Sequence, residues 1–246
     1  MNHPEWLNRT TLLLGAEKLE ILSKSHVLII GLGGVGSAAA EMLCRAGIGK
    51  LTIADGDVVE PGNRNRQLIA LKSTEGQKKT EVLAARLLDI NPDIELIKVY
   101  KYLKEDPMIE LLEHKYDYVV DAIDTLSPKA YMLLYGVKLQ HKIVSAMGAG
   151  AKLDISKIKV ADISETHTCT FAFDIRKRLR RLGVSTGFKA VFSTEQPMKQ
   201  SVVFNNSATN KKSIAGTISY MPVVFGCYCA SVVIGDLIKG ENENSF

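Results

Sequence analysis

His26-Val27-Leu28-Ile29-Ile30-Gly31-Leu32-Gly33-Gly34-Val35-Gly36 decides how this chain folds. A short apolar run rich in branched side chains reads as a strand, the glycines as a tight turn, and residues 35–46 as a helix. Glycine lets the backbone approach phosphate oxygens, and a helix N-terminus offers unpaired N–H groups with a partial positive charge. One strand later, residues 50–55 end in Asp55, an acid suited to accept hydrogen bonds from ribose hydroxyls. Alone, this pattern is shared with many dinucleotide-binding dehydrogenases.

Outward from that turn, strand and helix signals alternate. A helix is expected over 76–91, stopped by Asn91-Pro92, and a third strand over 94–100. Residues 107–114 read as a short helix, 118–123 as a strand, 128–139 as a helix and 142–147 as a strand. Such alternation implies an α/β, Rossmann-like, doubly wound and mostly parallel sheet. Beyond about residue 157 the pattern loosens into strands at 158–163 and 190–193, a basic helix at 171–182, and a polar stretch over 200–214 that reads as a loop. We therefore expect one domain spanning 1–246. Its nucleotide-binding core covers about 20–150, and a C-terminal α+β extension over about 151–240 serves substrate and dimer contacts.

The 246 residues suffice for a large core, and 46% hydrophobic with 24% charged residues is ordinary for a soluble protein. A net charge of +4 is too small to demonstrate a nucleic-acid partner. Cys44, Cys169, Cys227 and Cys229 have no CxxC spacing, which argues against a zinc site or a disulfide framework. The opening residues lack a basic segment followed by an apolar one, so the expectation is a cytoplasmic protein without a secretory signal. Residues 218–235 carry no charge and are long enough for a membrane span. Pro222, Gly226 and Ser231 within them favour a core or interface helix, and no stable membrane insertion is expected.

Cations separate the chain from a dehydrogenase. Asn63-Arg64-Asn65-Arg66-Gln67 and Lys79 follow Asp55-Gly56-Asp57, and Asp121-Ala122-Ile123-Asp124 ends the fourth strand. A hydride-transfer enzyme has no need of Arg66 and Lys79 at the phosphate end. An enzyme that splits a triphosphate does, because charge builds on the departing phosphates. Asp124 suits Mg2+, which takes one or two carboxylates plus phosphate oxygens. Asp57 reads as a loop cap, and Asp121 as a residue that orients the loop carrying Asp124.

These motifs together resemble the adenylating superfamily of ThiF, the molybdopterin-synthase adenylyltransferases and the ubiquitin-activating enzymes. The resemblance implies binding of ATP through Gly31, Gly33, Gly34 and Gly36, with Gly34 near the α-phosphate and Asp55 on the ribose. Asn63 and Arg66 would contact phosphates, Gln67 would belong to the same nucleotide-binding set, and Lys79 would meet the leaving pyrophosphate and Asp124 the Mg2+. Arg9, in Trp6-Leu7-Asn8-Arg9, matches an arginine that reaches into a partner subunit's site, which implies a homodimer and makes Arg9, Arg66, Lys79 and Asp124 the catalytic set.

Within that superfamily the chain is similar to the tRNA threonylcarbamoyladenosine dehydratases. The similarity runs through residues 121–129, Gly148-Ala149-Gly150-Ala151, the basic Arg176 to Arg181, and Val191-Phe192-Ser193-Thr194-Glu195. It implies adenylation of the threonyl carboxylate of threonylcarbamoyladenosine at position 37 of tRNA. Attack by the neighbouring carbamoyl oxygen would then close a ring and expel AMP. A nucleophile already beside the activated carbonyl makes a thioester relay unnecessary. The chain has Lys189-Ala190-Val191 where some members carry a cysteine, and Cys169 reads as a packing residue. The same resemblance brings in a cysteine-desulfurase system as a candidate partner.

Arg176, Lys177, Arg178, Arg180 and Arg181 make five cations in six residues. They suit either a solvated face or a tRNA phosphate track, with Lys189, Lys199, Lys211 and Lys212 as extensions. Phe171, Phe173 and Phe188 are candidates for base stacking. The alternative activity is adenylation of the C-terminal glycine of a ubiquitin-like sulfur carrier; a non-catalytic nucleotide-binding scaffold is a third reading.

Overall fold

The computed structural model describes residues 4–204 and 213–239. Helices α1 (Asn8–Leu14) and α2 (Ala16–Lys24) lead into β1 (His26–Ile30), α3 (Gly34–Arg45) and β2 (Lys50–Ala54). Next come α4 (Lys79–Ile90), β3 (Glu95–Val99), α5 (Asp106–Leu112), β4 (Tyr118–Asp121), α6 (Leu126–Lys138) and β5 (Ile143–Ala146). The C-terminal part adds β6 (Ile158–Asp162), α7 (Thr170–Arg181), β7 (Lys189–Ser193), β8 (Val202–Phe204), β9 (Ser213–Ala215) and α8 (Tyr220–Ile238).

Seven strands form one sheet in the order β3-β2-β1-β4-β5-β7-β6, parallel throughout except for β6, which runs antiparallel to β7. The expected α/β, doubly wound, mostly parallel architecture is thus observed. β1 and β2 pair with His26 opposite Lys50, and β1 and β4 with Val27 opposite Tyr118. From β1 the chain first winds out to β3 and then returns to place β4 on the other side. Ligands of such sheets bind where the winding reverses, outside the carboxyl ends of β1 and β4.

Alternation along β1 divides the core. Val27 and Ile29 face one layer with α3, α4 and α8, whereas Leu28 and Ile30 face the other with α5, α6 and α7. Both faces of the central strands are dry, which is why they read as continuous apolar runs rather than alternating ones. Each fully buried Leu, Ile or Val there contributes about 1.5–3 kcal/mol over an exposed position.

Helix α8 lies on α3 at very short range. A Cβ on Gly226 would come within 2.5 Å of Val35 O and 2.7 Å of Ala38 Cβ, so only glycine allows this approach. The helix is long and apolar enough to cross a membrane, yet Met221, Phe225, Cys229 and Val233 are buried in the core. Asp236 on the same helix accepts a hydrogen bond from Tyr118 Oη (2.8 Å) and pairs with Lys189 Nζ (2.6 Å). That polar fastening to β4 and β7 fits a core helix.

Several sequence boundaries shift. The helix expected from residue 76 starts at Lys79, because Val59, Gly76 and Gln77 exchange backbone hydrogen bonds in a turn before it. α1 and α2 were not among the expected elements, although Leu19 and Leu22 of α2 are buried one turn apart. Within the polar stretch expected as a loop over 200–214, β8 and β9 pair antiparallel; residues 205–212, Lys211 and Lys212 among them, lie outside the described residues.

Candidate active site

The glycine turn is shaped by the chain's own backbone before any ligand is considered. Gly31 has φ of +88°, and a Cβ there would meet Ala122 O at 2.8 Å, so the turn after β1 lies directly against the segment after β4. A Cβ on Gly36 would overlap Gly31 O at 1.7 Å. Gly34 has no room either, with Arg66 O at 2.7 Å and Pro222 Cβ at 2.8 Å. Gly33 differs: a Cβ there would meet only Gln67 Nε2, at 3.8 Å. Three glycines therefore serve close packing, and Gly33 leaves the open side of the cradle at the start of α3.

Asp55 organises the rim. Its Oδ2 accepts the Leu32 N–H at 2.6 Å and its Oδ1 the Asp57 N–H at 2.7 Å, which joins the turn after β1 to the loop after β2. Next to it, Lys79 Nζ lies 2.8 Å from Asp57 Oδ2, with Lys79 buried and Asp57 half-exposed. Asp57 thus makes an ion pair in place of the loop cap expected of it. The Asp57 charge also pushes the Tyr102 phenol above its ordinary value. Tyr102 packs across the loop where a Cβ on Gly56 would stand, 2.8 Å from its ring.

The segment 61–67 folds back under the turn. Asn63 Oδ1 accepts the Glu60 N–H, and Arg66 Nη1 donates to Gly62 O (2.9 Å) and Asn65 Oδ1 (2.8 Å). Asn65 Nδ2 donates to Thr217 O at 2.9 Å, tying this segment to the entrance of α8. Gln67 is buried, and its Oε1 has no hydrogen-bond partner among the described residues. The Gln67 atom on the side of Gly33 is Nε2, so the group offered toward the cradle is a donor, which suits a phosphate oxygen.

On the β4 side, Asp121 is wholly buried. Its Oδ2 lies 2.7 Å from Lys129 Nζ and accepts from Ser145 Oγ at 2.6 Å, while Oδ1 takes the Ile123 N–H at 3.1 Å. Lys129 Nζ also donates to Ile123 O at 3.0 Å. Asp121 therefore fixes the segment leading to Asp124, which is exposed at the carboxyl end of β4. Among the described residues no group of three or more His, Cys, Asp or Glu is arranged to hold a metal. Mg2+ needs no such group, and a carboxylate beside bound phosphates fits its demands.

Sequence reasoning passed over Lys152. This buried lysine donates from Nζ to Gly148 O (2.6 Å) and Gly150 O (3.4 Å), pinning the loop after β5. Burial pushes its ammonium below the ordinary value, opposed by Cys169 and Glu195. Glu195 in turn accepts the Leu153 and Asp154 N–H groups. A lysine closing the glycine-rich segment 148–152 was the signal available. Cys169 is buried as expected, and burial pushes the Cys44 and Cys229 thiols up to about 11 and about 12.

Arg9 is not brought to this site within one chain. Leu7, two residues earlier, packs where a Cβ on Gly47 would stand, at the loop entering β2. That is the amino edge of the sheet, whereas the glycine turn, Asp55 and Asp124 occupy the carboxyl edge. On α7, Arg176 Nη1 donates to Thr166 Oγ1 and Arg178 Nη1 to Ser127 Oγ (3.0 Å), while Lys177, Arg180 and Arg181 are exposed. Of the aromatic candidates, Phe188 is a core residue and Phe173 is exposed.

The glycine turn after β1, the loop after β2 with Asp55 and Asp57, and Asp124 after β4 all lie at the carboxyl edge of the sheet. Residues 7–246 match the ThiF family. This chain belongs to it. The tRNA threonylcarbamoyladenosine dehydratase of Bacillus subtilis (strain 168) is 38% identical over 94% of both chains. That of Escherichia coli (strain K12) is 37% identical over 76% of this chain and 72% of its own. The crystal structure of the E. coli tRNA N6-threonylcarbamoyladenosine dehydratase, TcdA, in complex with ATP superposes with a TM-score of 0.87. It is 32% identical and covers 95% of this chain and 94% of that one. In this ThiF-family chain, the crevice between β1 and β4 is accordingly the candidate adenylation site.

Proposed function

We propose that this protein is an ATP-dependent tRNA threonylcarbamoyladenosine dehydratase. The observation that carries the reading is the match over 94% of both chains to the B. subtilis dehydratase, which includes the C-terminal extension as well as the nucleotide-binding core. A threonyl carboxylate oxygen attacks the α-phosphorus of ATP, and pyrophosphate leaves. The carbamoyl oxygen then attacks the acyl carbon, a five-membered ring closes, and AMP departs. ATP takes up the elements of water as AMP and pyrophosphate.

The roles follow from placement. N–H groups at the start of α3 and the open side of Gly33 receive phosphate oxygens, with Gly31, Gly34 and Gly36 shaping the turn. Asp55 keeps its loop contacts and offers its remaining lone pairs to ribose. Asn63 holds the segment in shape, Gln67 turns its Nε2 toward Gly33, and Arg66 faces phosphate. Lys79, held ready by Asp57, meets the charge that develops on pyrophosphate. Asp124 would hold Mg2+, which would supply neutralisation of phosphate charge there. Arg9 enters the site of a second copy, since its own chain holds it at the opposite edge; the enzyme acts as a homodimer. Arg176, Lys177, Arg178, Arg180 and Arg181 lie on the side that receives tRNA, and the protein works in the cytoplasm, with a cysteine-desulfurase system as a candidate partner.

The test is mass spectrometry of nucleosides from tRNA bearing threonylcarbamoyladenosine after incubation with the protein and Mg-ATP. The expected product is lighter by one water and appears only with ATP, together with AMP. An unchanged nucleoside, with AMP formed instead on a ubiquitin-like carrier, would transfer the protein to the sulfur-carrier branch.

A further inference from the structure

Between α6 and α7 runs a groove of ≈ 320 Å³ lined by Ala130, Tyr131, Leu134, Arg178, Arg181 and Leu182. Grooves that hold small ligands begin at about 300 Å³. Its floor is apolar, one wall carries a tyrosine, the other carries two guanidinium groups, and no carboxylate lines it. The Tyr131 ring stacks on Tyr135 with centroids 6.4 Å apart and planes 11° from parallel. Lys138 Nζ sits 5.6 Å over the Tyr135 ring, so a cation lies at the far end of this aromatic pair. Arg178 is not loose: its Nη1 donates to Ser127 Oγ at 3.0 Å, and Ser127 stands three residues after Asp124. One wall of the groove is thus tied, through Arg178, to the first turn of α6, three residues after the candidate catalytic carboxylate.

A flat π-face next to paired guanidinium groups matches one chemistry well. A nucleobase stacks on an aromatic ring, and the adjoining phosphate accepts two hydrogen bonds from arginine. An acidic peptide would satisfy the arginines but leave the tyrosine face and the apolar floor without a planar partner. We propose that this groove is a stacking subsite for one unpaired nucleotide of the RNA substrate, flanking the nucleotide that reacts. The base lies on Tyr131 against Leu134 and Leu182, and its phosphate meets Arg178 and Arg181. Single-stranded loops can present such an unstacked base, whereas a duplex cannot. This assignment rests on the functional reading above and adds to it a specificity-determining contact.

The test uses the full-length protein, a fluorescent anticodon stem-loop bearing threonylcarbamoyladenosine, and ATP binding measured separately. Tyr131→Ala is expected to weaken RNA binding by at least about fivefold and to raise KM for RNA more than it lowers kcat. Tyr131→Phe keeps the ring and should restore affinity to within about twofold of wild type. Leu182 is 46% exposed, so Leu182→Glu should fold normally and weaken RNA binding by placing a negative charge against the phosphate. ATP affinity should be unchanged in all three. Wild-type turnover of tRNA with unaltered RNA affinity in both Tyr131→Ala and Leu182→Glu overturns the subsite alone. Absence of RNA binding by the wild-type protein overturns the functional reading and the subsite together. A loss of affinity in Tyr131→Ala confined to a polyglutamate probe also overturns it.

Discussion

Lys129 Nζ lies 2.7 Å from Asp121 Oδ2, and solvent reaches neither side chain. The pair holds the carboxyl end of β4 still, since Lys129 also grips Ile123 O and Asp121 grips the Ile123 N–H. Removing one partner leaves the other charge buried without compensation, at a cost of about 3–5 kcal/mol. Lys129→Met is therefore expected to lower unfolding free energy by that amount in urea denaturation. Lys129→Met combined with Asp121→Asn should recover part of the loss. Two single variants and a double whose effects simply add would show that the groups are not coupled.

Asp124 behaves differently because it is exposed and sits at the end of that braced segment. Asp124→Asn should melt within a few degrees of wild type yet form AMP at least about a hundredfold more slowly with tRNA and Mg-ATP. Normal AMP formation in this variant would remove Asp124 from the phosphate end.

The Lys79–Asp57 pair predicts a division between binding and chemistry. A cation aimed at developing charge acts on the rate more than on ground-state binding, so Lys79→Ala should lower kcat by about a hundred- to a thousandfold with a smaller change in ATP affinity. Asp57→Asn leaves Lys79 buried without its 2.8 Å counter-charge, and a drop in thermal stability is expected there as well. Equal losses in kcat and ATP affinity for Lys79→Ala would instead mark it as an ordinary binding residue.

Acid stability can be traced to Glu41. Burial alone would raise its carboxyl, but hydrogen bonds from Arg86 and then Arg45 outweigh that and hold it below its ordinary value of 4.5. A folded-state value depressed below the unfolded one means that the unfolded chain takes up the proton first as pH falls. The stabilisation is complete above about pH 4.5 and disappears as pH falls through the folded-state value. Glu41→Gln should therefore destabilise the protein at pH 7 and converge with wild type in acid. Denaturant midpoints measured from pH 7 downward check this; a constant difference at every pH would refute the assignment.

Much of the crevice was legible because its parts are local signals. The order of strand, glycine turn and helix from His26 to Arg45, the acid at Asp55 and the cations at Arg66 and Lys79 each follow from short-range rules. The packing reason for each glycine was not legible: no local pattern shows that a side chain on Gly34 would run into Arg66 O and Pro222. The role of Asp57 was likewise decided by a lysine 22 residues away.

The sequence by itself determined the fold class, since buried parallel strands require continuous apolar runs and their crossovers require helices. It also determined which residue types were available for phosphate chemistry. Only the tertiary structure decided which of them meet. Leu7, two residues before Arg9, was packed at the loop entering β2, Lys152 was folded onto the carbonyls of Gly148 and Gly150, and Tyr131 was set in one groove with Arg178 and Arg181. Hydrophobic periodicity specifies which face of an element is buried. The partner met across that face depends on strand order and close packing, which no local pattern encodes.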